Sequence, residues 1–115
     1  MWKTHDNKPC KIRGRVIGGC FDTLTHLIGT PYGDLDNFKK LAGDDGVVFY
    51  FENAESAPCS VARILWSMKL ASWFESVNGV VLGRSAAEAV TNENNLNYVE
   101  VITEFFKEVN LPLMK

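Results

Sequence analysis

The stretch Val47-Val48-Phe49-Tyr50-Phe51-Glu52 decides how this chain is read. Its first five residues are all β-branched or aromatic, and an unbroken run of this kind is the pattern of a strand buried on both faces of a sheet. The run then ends in a carboxylate. Ionised carboxylates avoid dry interiors unless they are paired, so Glu52 has either just reached solvent or is being delivered to a site. In parallel α/β sheets, sites are built outside the carboxyl ends of the strands. Local pattern alone favours the solvated strand-end acid.

Upstream of this strand, Ala42-Gly43-Asp44-Asp45-Gly46 has turn chemistry. Arg13 to Ile17 predicts a short strand that meets a turn at Gly18-Gly19, since paired glycines allow positive φ and close backbone approach. Leu24 to Ile28 suits a short turn of helix, broken by Gly29-Thr30-Pro31-Tyr32-Gly33. Asp34 to Leu41 has a weak helical rhythm in Leu35, Phe38 and Leu41, with Asp34 as N-cap. Residues 1–11 are polar, contain Pro9 and read as a linker ahead of a domain spanning 12–115.

Downstream, a polar loop reaches Pro58. Ser60 then caps a predicted helix to about Phe74, with Val61, Ile64, Leu65, Met68 and Ala71 on one apolar stripe. Trp66 and Trp73 fall beside that stripe and suggest a second contact surface. Asn78-Gly79 punctuates before a short strand, Val80-Val81-Leu82, that ends at Gly83-Arg84. Ala86 to Val90 is too short to assign. A second amphipathic helix is predicted from about Asn94 to Val109, presenting Leu96, Val99, Ile102, Phe106 and Val109. Leu111 to Lys115 starts a further strand. Strand, helix, strand, helix, strand is an α/β pattern: a small sheet with largely parallel pairing and flanking helices. Few residues remain after Pro112 to complete the last strand, so an open edge is expected, and open edges favour association with another copy.

The 115 residues suit one domain, and 46% hydrophobic with 23% charged residues is ordinary globular composition. A net charge of −2 offers no basic stripe for nucleic acid. No apolar run approaches the roughly 20 residues that span a bilayer. The start lacks the apolar stretch of a signal peptide, so a cytoplasmic location is expected. Cys10, Cys20 and Cys59 are odd in number and scattered, and neither His5 nor His26 has a partner at ligand spacing, so no metal site is expected. There is no full Gly-x-Gly-x-x-Gly, no phosphate-loop lysine and no Gly-x-Ser-x-Gly elbow. His26 sits among Leu24, Leu27 and Ile28 and reads as a packed histidine. Cys20 reads as a structural thiol, and a thiol enzyme built on it is the weakest of the functional options. Arg63 is placed to pair with Glu52, Glu55 or Asp22. Residue patterns stop there.

A wider set of residues resembles a known family. Arg13-Gly14-Arg15-Val16-Ile17-Gly18-Gly19-Cys20, Leu24, Gly29-Thr30-Pro31-Tyr32, Val47 to Glu52, Arg63-Ile64-Leu65 and Val77 to Gly83 follow in the order found in the C-terminal domain of the LD-carboxypeptidases. These are the murein tetrapeptide carboxypeptidases and their relatives, the microcin-immunity peptidases. The resemblance covers roughly residues 12–113.

It implies a swivelling β/β/α-type domain, incomplete here at its C-terminal edge. It also implies a cytosolic serine hydrolase of peptidoglycan recycling, with a Ser-His-Glu triad divided between two domains and no metal or cofactor. Such enzymes remove a terminal D-amino acid, typically D-Ala, from murein peptides. Glu52 stands in the position of the triad acid, which orients the imidazole, and Gly18, Gly19 and Cys20 stand at the rim of the substrate cleft. The family commonly has Asn where this chain has Cys20. The serine domain and the histidine motif are not in these residues, so the chain alone is expected to be inactive. The alternative expectation is a non-catalytic peptide-binding or self-association module of the same ancestry, homo-oligomeric through its incomplete sheet edge.

Overall fold

The computed structural model describes Thr4, residues 8–86 and residues 97–115. Strand β1 (Arg15–Cys20) leads into a single turn of helix, α1 (Phe21–Leu24), continued by a 3-10 turn. Helix α2 (Asp36–Ala42) precedes the central strand β2 (Val47–Asn53), helix α3 (Pro58–Leu70) and strand β3 (Val77–Ser85). Helix α4 (Tyr98–Glu108) and a two-residue strand, β4 (Leu113–Met114), complete the order. The four strands form one sheet in the order β1-β2-β3-β4, every pair parallel. The expected α/β sheet with flanking helices is what the chain forms.

Each crossover advances by one strand in the same direction, and right-handed crossovers of that kind put their helices on one face. The burial pattern agrees. Val47, Phe49 and Phe51 are at most 1% exposed and belong to the core with Val80, Leu82, Leu65, Met68, Ile102 and Phe106. Phe49 stacks on Phe51 at 5.1 Å and on Trp73 at 6.1 Å, and Phe21 stacks on Phe51 at 4.8 Å. Phe74 meets Phe49, Phe51, Phe105 and Phe106 by its edges and tilted faces. Such pairs contribute beyond their buried area because ring edges and faces carry opposite partial charge.

The opposite face carries Val16, Gly18 and Cys20 against Val48, Tyr50 and Glu52. Ile12 and Gly14 lie over it where Val48 and Gly79 sit. Beyond them it opens, with Val16 66% exposed, Tyr50 half-buried and Glu52 exposed. The central strand is therefore buried fully on one face only. The apolar run misled because Tyr50 tolerates a half-wet surface.

Other boundaries differ for local reasons. The strand predicted to stop at Ile17 runs through both glycines to Cys20, so Gly18-Gly19 is strand, not turn. Gly18 has φ +153°, and a Cβ there would overlap the Tyr50 carbonyl; glycine is what lets β1 lie against β2. Helix α3 starts at Pro58 rather than after Ser60, since proline fits the first turn, whose N–H has no helical partner. It ends at Leu70 because Ser72 takes φ +64°, which swings Trp73 into the core instead of onto a second surface. Trp66 remains 39% exposed and meets Phe105 edge-on at 5.3 Å.

Leu41 is 80% exposed and Ala71 is exposed, so neither extends its predicted stripe. Helix α2 begins at Asp36, whose N–H donates to the Asp34 carboxylate at 3.1 Å, two residues outside the helix. Strand β3 absorbs Asn78-Gly79 and runs to Ser85. Helix α4 begins after Asn97, whose side chain accepts from the Val99 N–H at 2.8 Å, and Phe105 is a further core residue on it. The proposed helix residues Asn94 to Leu96, His5 and most of Ala86–Val90 lie outside the described residues. At the sheet edge Met114 also forms an antiparallel bridge with Thr4.

Candidate strand-end site

Glu52 occupies the penultimate position of β2, on the open face, directly opposite Cys20 of β1. Strand alternation explains its exposure: Phe51 and Asn53 point to the helices, so Glu52 must point away. The Tyr50 hydroxyl, two residues back on the same face, donates to Glu52 Oε2 at 3.3 Å. Space for that hydroxyl comes from β3, where a Cβ at Gly83 would lie 2.5 Å from it. Desolvation first, then the charge of Glu52 and this hydrogen bond, raise the Tyr50 phenol above its ordinary pKa. Tyr98, at the start of α4, is pushed up further by burial, with the nearby Tyr50 and Cys20 adding to it. Its hydroxyl is buried without a partner among the described residues.

The residues that follow Glu52 are tied to β1. Asp22, just past the β1 end, accepts from the backbone N–H groups of Ala54 and Glu55, both at 3.1 Å, and from the Ser56 hydroxyl. The Cys20 thiol donates to the same carboxylate at 3.4 Å. The Ser56 hydrogen bond, above all, holds Asp22 down at about 2, helped by Glu55, Cys20 and Ala54 against a desolvation penalty. Asn53 is 2% exposed, and its amide donates to the Ser56 carbonyl at 2.8 Å and to Ser85 Oγ at 3.0 Å. The carboxyl ends of the three longer strands are thus bound into one polar cluster.

Of the residues singled out from sequence, Glu52 and Cys20 are brought together, while Gly18 and Gly19 line the same end of β1 as backbone. His26 lies on the 3-10 turn Thr25–Leu27 and is exposed rather than packed. Arg63 forms no ion pair with Glu52, Glu55 or Asp22 among the described residues, and Asp22 has turned its acceptors to Ser56 and the loop amides instead. Asp22, Tyr50 and Ser56 were not read as site residues. An acid two positions beyond the end of a glycine-rich strand was the signal available for Asp22.

Chemically, the cluster presents one exposed carboxylate on a rigid strand. That suits orienting a cationic or N–H-bearing group, and among the described residues Glu52 is hydrogen-bonded by the Tyr50 hydroxyl and ion-paired to no histidine.

Residues 13–115 match the model of the LD-carboxypeptidase C-terminal domain. The microcin C7 self-immunity protein MccF of Escherichia coli is 27% identical over 104 residues, which is 90% of this chain and 28% of that protein. A solved structure of MccF superposes with a TM-score of 0.71 at 22% identity, covering 98% of this chain and 31% of the other. The muramoyltetrapeptide carboxypeptidase of Oxalobacter formigenes does so with a TM-score of 0.71 at 19% identity, covering 98% and 37%. The chain therefore spans under two-fifths of the length of these relatives, and by the match to its domain model it belongs to the LD-carboxypeptidase family.

Proposed function

We propose that this chain supplies the acid limb of a serine LD-carboxypeptidase, with Glu52 as the triad acid. The observation that carries the reading is the exposure of Glu52 at the carboxyl end of the central strand, in a chain of this family. In that role its carboxylate receives the Nδ1–H of an imidazole from another part of the enzyme. The imidazole's other nitrogen takes the proton of a serine hydroxyl as that oxygen attacks the scissile carbonyl. The imidazolium so formed is stabilised by Glu52 and returns the proton to the departing D-amino acid amine. Gly18, Gly19 and Cys20 form the wall of the cleft beside it. Three free cysteines are consistent with a reducing, cytoplasmic setting.

Two substrate classes follow from the relatives: a muramoyl tetrapeptide, and the aminoacyl sulfamoyl nucleotides held by MccF in solved complexes. The murein peptide is the reading put forward here for this chain. The test mixes the 115-residue chain with separately produced segments of a relative that carry both its catalytic serine and its catalytic histidine, and follows D-Ala release from a murein tetrapeptide, with an aminoacyl sulfamoyl nucleotide in parallel. Release is expected from the mixture only, and Glu52→Gln should lower it by about 10⁴-fold, the effect of neutralising a triad acid elsewhere. Robust release by the chain alone, or an unaffected Glu52→Gln mixture, would overturn the reading.

A second reading, a non-catalytic module of the same ancestry that binds a peptide or a second copy, is favoured by one feature, the partly open apolar sheet face on which Val16 is 66% exposed. Self-association through the short β4 edge belongs to either reading.

A further inference from the structure

We propose that Asp22 is the positioning residue for Glu52: its carboxylate locks the loop Ala54–Ser56 and thereby fixes the strand end from which Glu52 projects. This deepens the reading of Glu52 as the triad acid and rests on it for its catalytic meaning. A strand ends where its neighbours stop pairing, and the ladder between β2 and β3 is already irregular between Phe51 and Asn53. Without another constraint the last residues of β2 would fray, and a carboxylate on a fraying end orients nothing.

Asp22 provides that constraint from outside the strand. One carboxylate oxygen accepts two successive backbone N–H groups, Ala54 and Glu55, immediately beyond the strand, while the other accepts from Ser56. These bonds cross from the β1–α1 junction to the β2–α3 loop, so they hold the two elements that carry Cys20 and Glu52 at one spacing. Charge-assisted bonds to backbone amides are the stronger kind. Asn53 seals the other side of the loop by donating to the Ser56 carbonyl. The groups facing Asp22 are the Cys20 thiol from β1, the Ser56 hydroxyl and the Ala54 and Glu55 backbone amides, with no cation paired to it among the described residues.

Hydrogen exchange and NMR on the 115-residue chain test this with Asp22→Ala and the isosteric Asp22→Asn. In Asp22→Ala, protection of the Ala54 and Glu55 amides should fall at least about tenfold, and the Glu52 side-chain couplings should average. The Phe49 and Val80 amides should keep their protection. Asp22→Asn, which keeps one acceptor oxygen and loses the charge, should fall between. The wild-type Ala54 and Glu55 amide shifts should also begin to move as pH approaches about 2, where Asp22 protonates, and those of Asp22→Asn should not.

Unchanged loop protection in both variants overturns the proposal. So does an equal loss at Phe49 and Val80, which would make Asp22 a general stabiliser. If Asp22→Ala does not fold, Asp22→Asn and the acid titration decide alone. A failed D-Ala assay with the loop behaviour as expected would sink the catalytic reading of Glu52 and leave the loop lock standing; the reverse pattern would do the opposite.

Discussion

Tyr50 and Glu52 are the smallest unit on which the function turns. Residues two apart on a strand share a face, so a tyrosine before an acid can always reach back to it; what varies is whether the neighbouring strand leaves room. Here Gly83 leaves it. Because the charge of Glu52 and its acceptance of the hydroxyl both raise the Tyr50 phenol, removing the charge must lower it, while the larger contribution from burial stays. Glu52→Gln should therefore let Tyr50 ionise at lower pH, followed through its ring resonances against the unsubstituted chain. An unshifted Tyr50 titration would mean that the two side chains do not meet in solution. Residue-scale chemistry of this kind was only half legible. Glu52 was found through the resemblance, but the loop partners of Asp22 lie 32, 33 and 34 positions away, and no local pattern connects such distant residues.

At the scale of elements, periodicity found the major helices and strands among the described residues, and two of the errors share one cause. Gly18-Gly19 and Asn78-Gly79 have a local meaning as turns, while the neighbouring strands give them another. Gly18 shows the competition. Alone it suggests a turn; beside β2 it is the residue that lets two strands approach, because any Cβ would overlap the Tyr50 carbonyl. Gly19 has nearly the same backbone, φ +152°, but open space around its missing Cβ. Alanine at Gly19 should therefore cost only the backbone strain, about 1–3 kcal/mol. Alanine at Gly18 should add overpacking of about 1–3 kcal/mol to that strain. Urea denaturation of the two variants measures the difference. Equal losses would show that β1 can move away from β2, and the close approach would then not be what demands glycine.

For the whole molecule, the decisive fact is that the aromatic core lies on one side of the sheet. The other side is covered by Ile12 and Gly14 at one end and opens at the other. Between the two, Ile12, Val16, Val48, Tyr50, Val81 and Met114 line a concavity of about 320 Å³. Beyond Val81, β3 continues through Leu82, Gly83 and Arg84 with no β4 residue opposite them among the described residues. A strand that stops pairing while its backbone groups continue is a template for another chain. The proposed self-association should appear as a concentration-dependent rise in mass by light scattering, and a strict monomer at high concentration would refute it. Val16→Lys separates the two surfaces. Val16 is 66% exposed, so the change should alter stability by no more than about 0.5 kcal/mol. Association that survives the buried charge this lysine would bring to a face-to-face contact does not run through the open face, as the edge proposal expects; association that is lost runs through the open face, and the edge proposal falls with it.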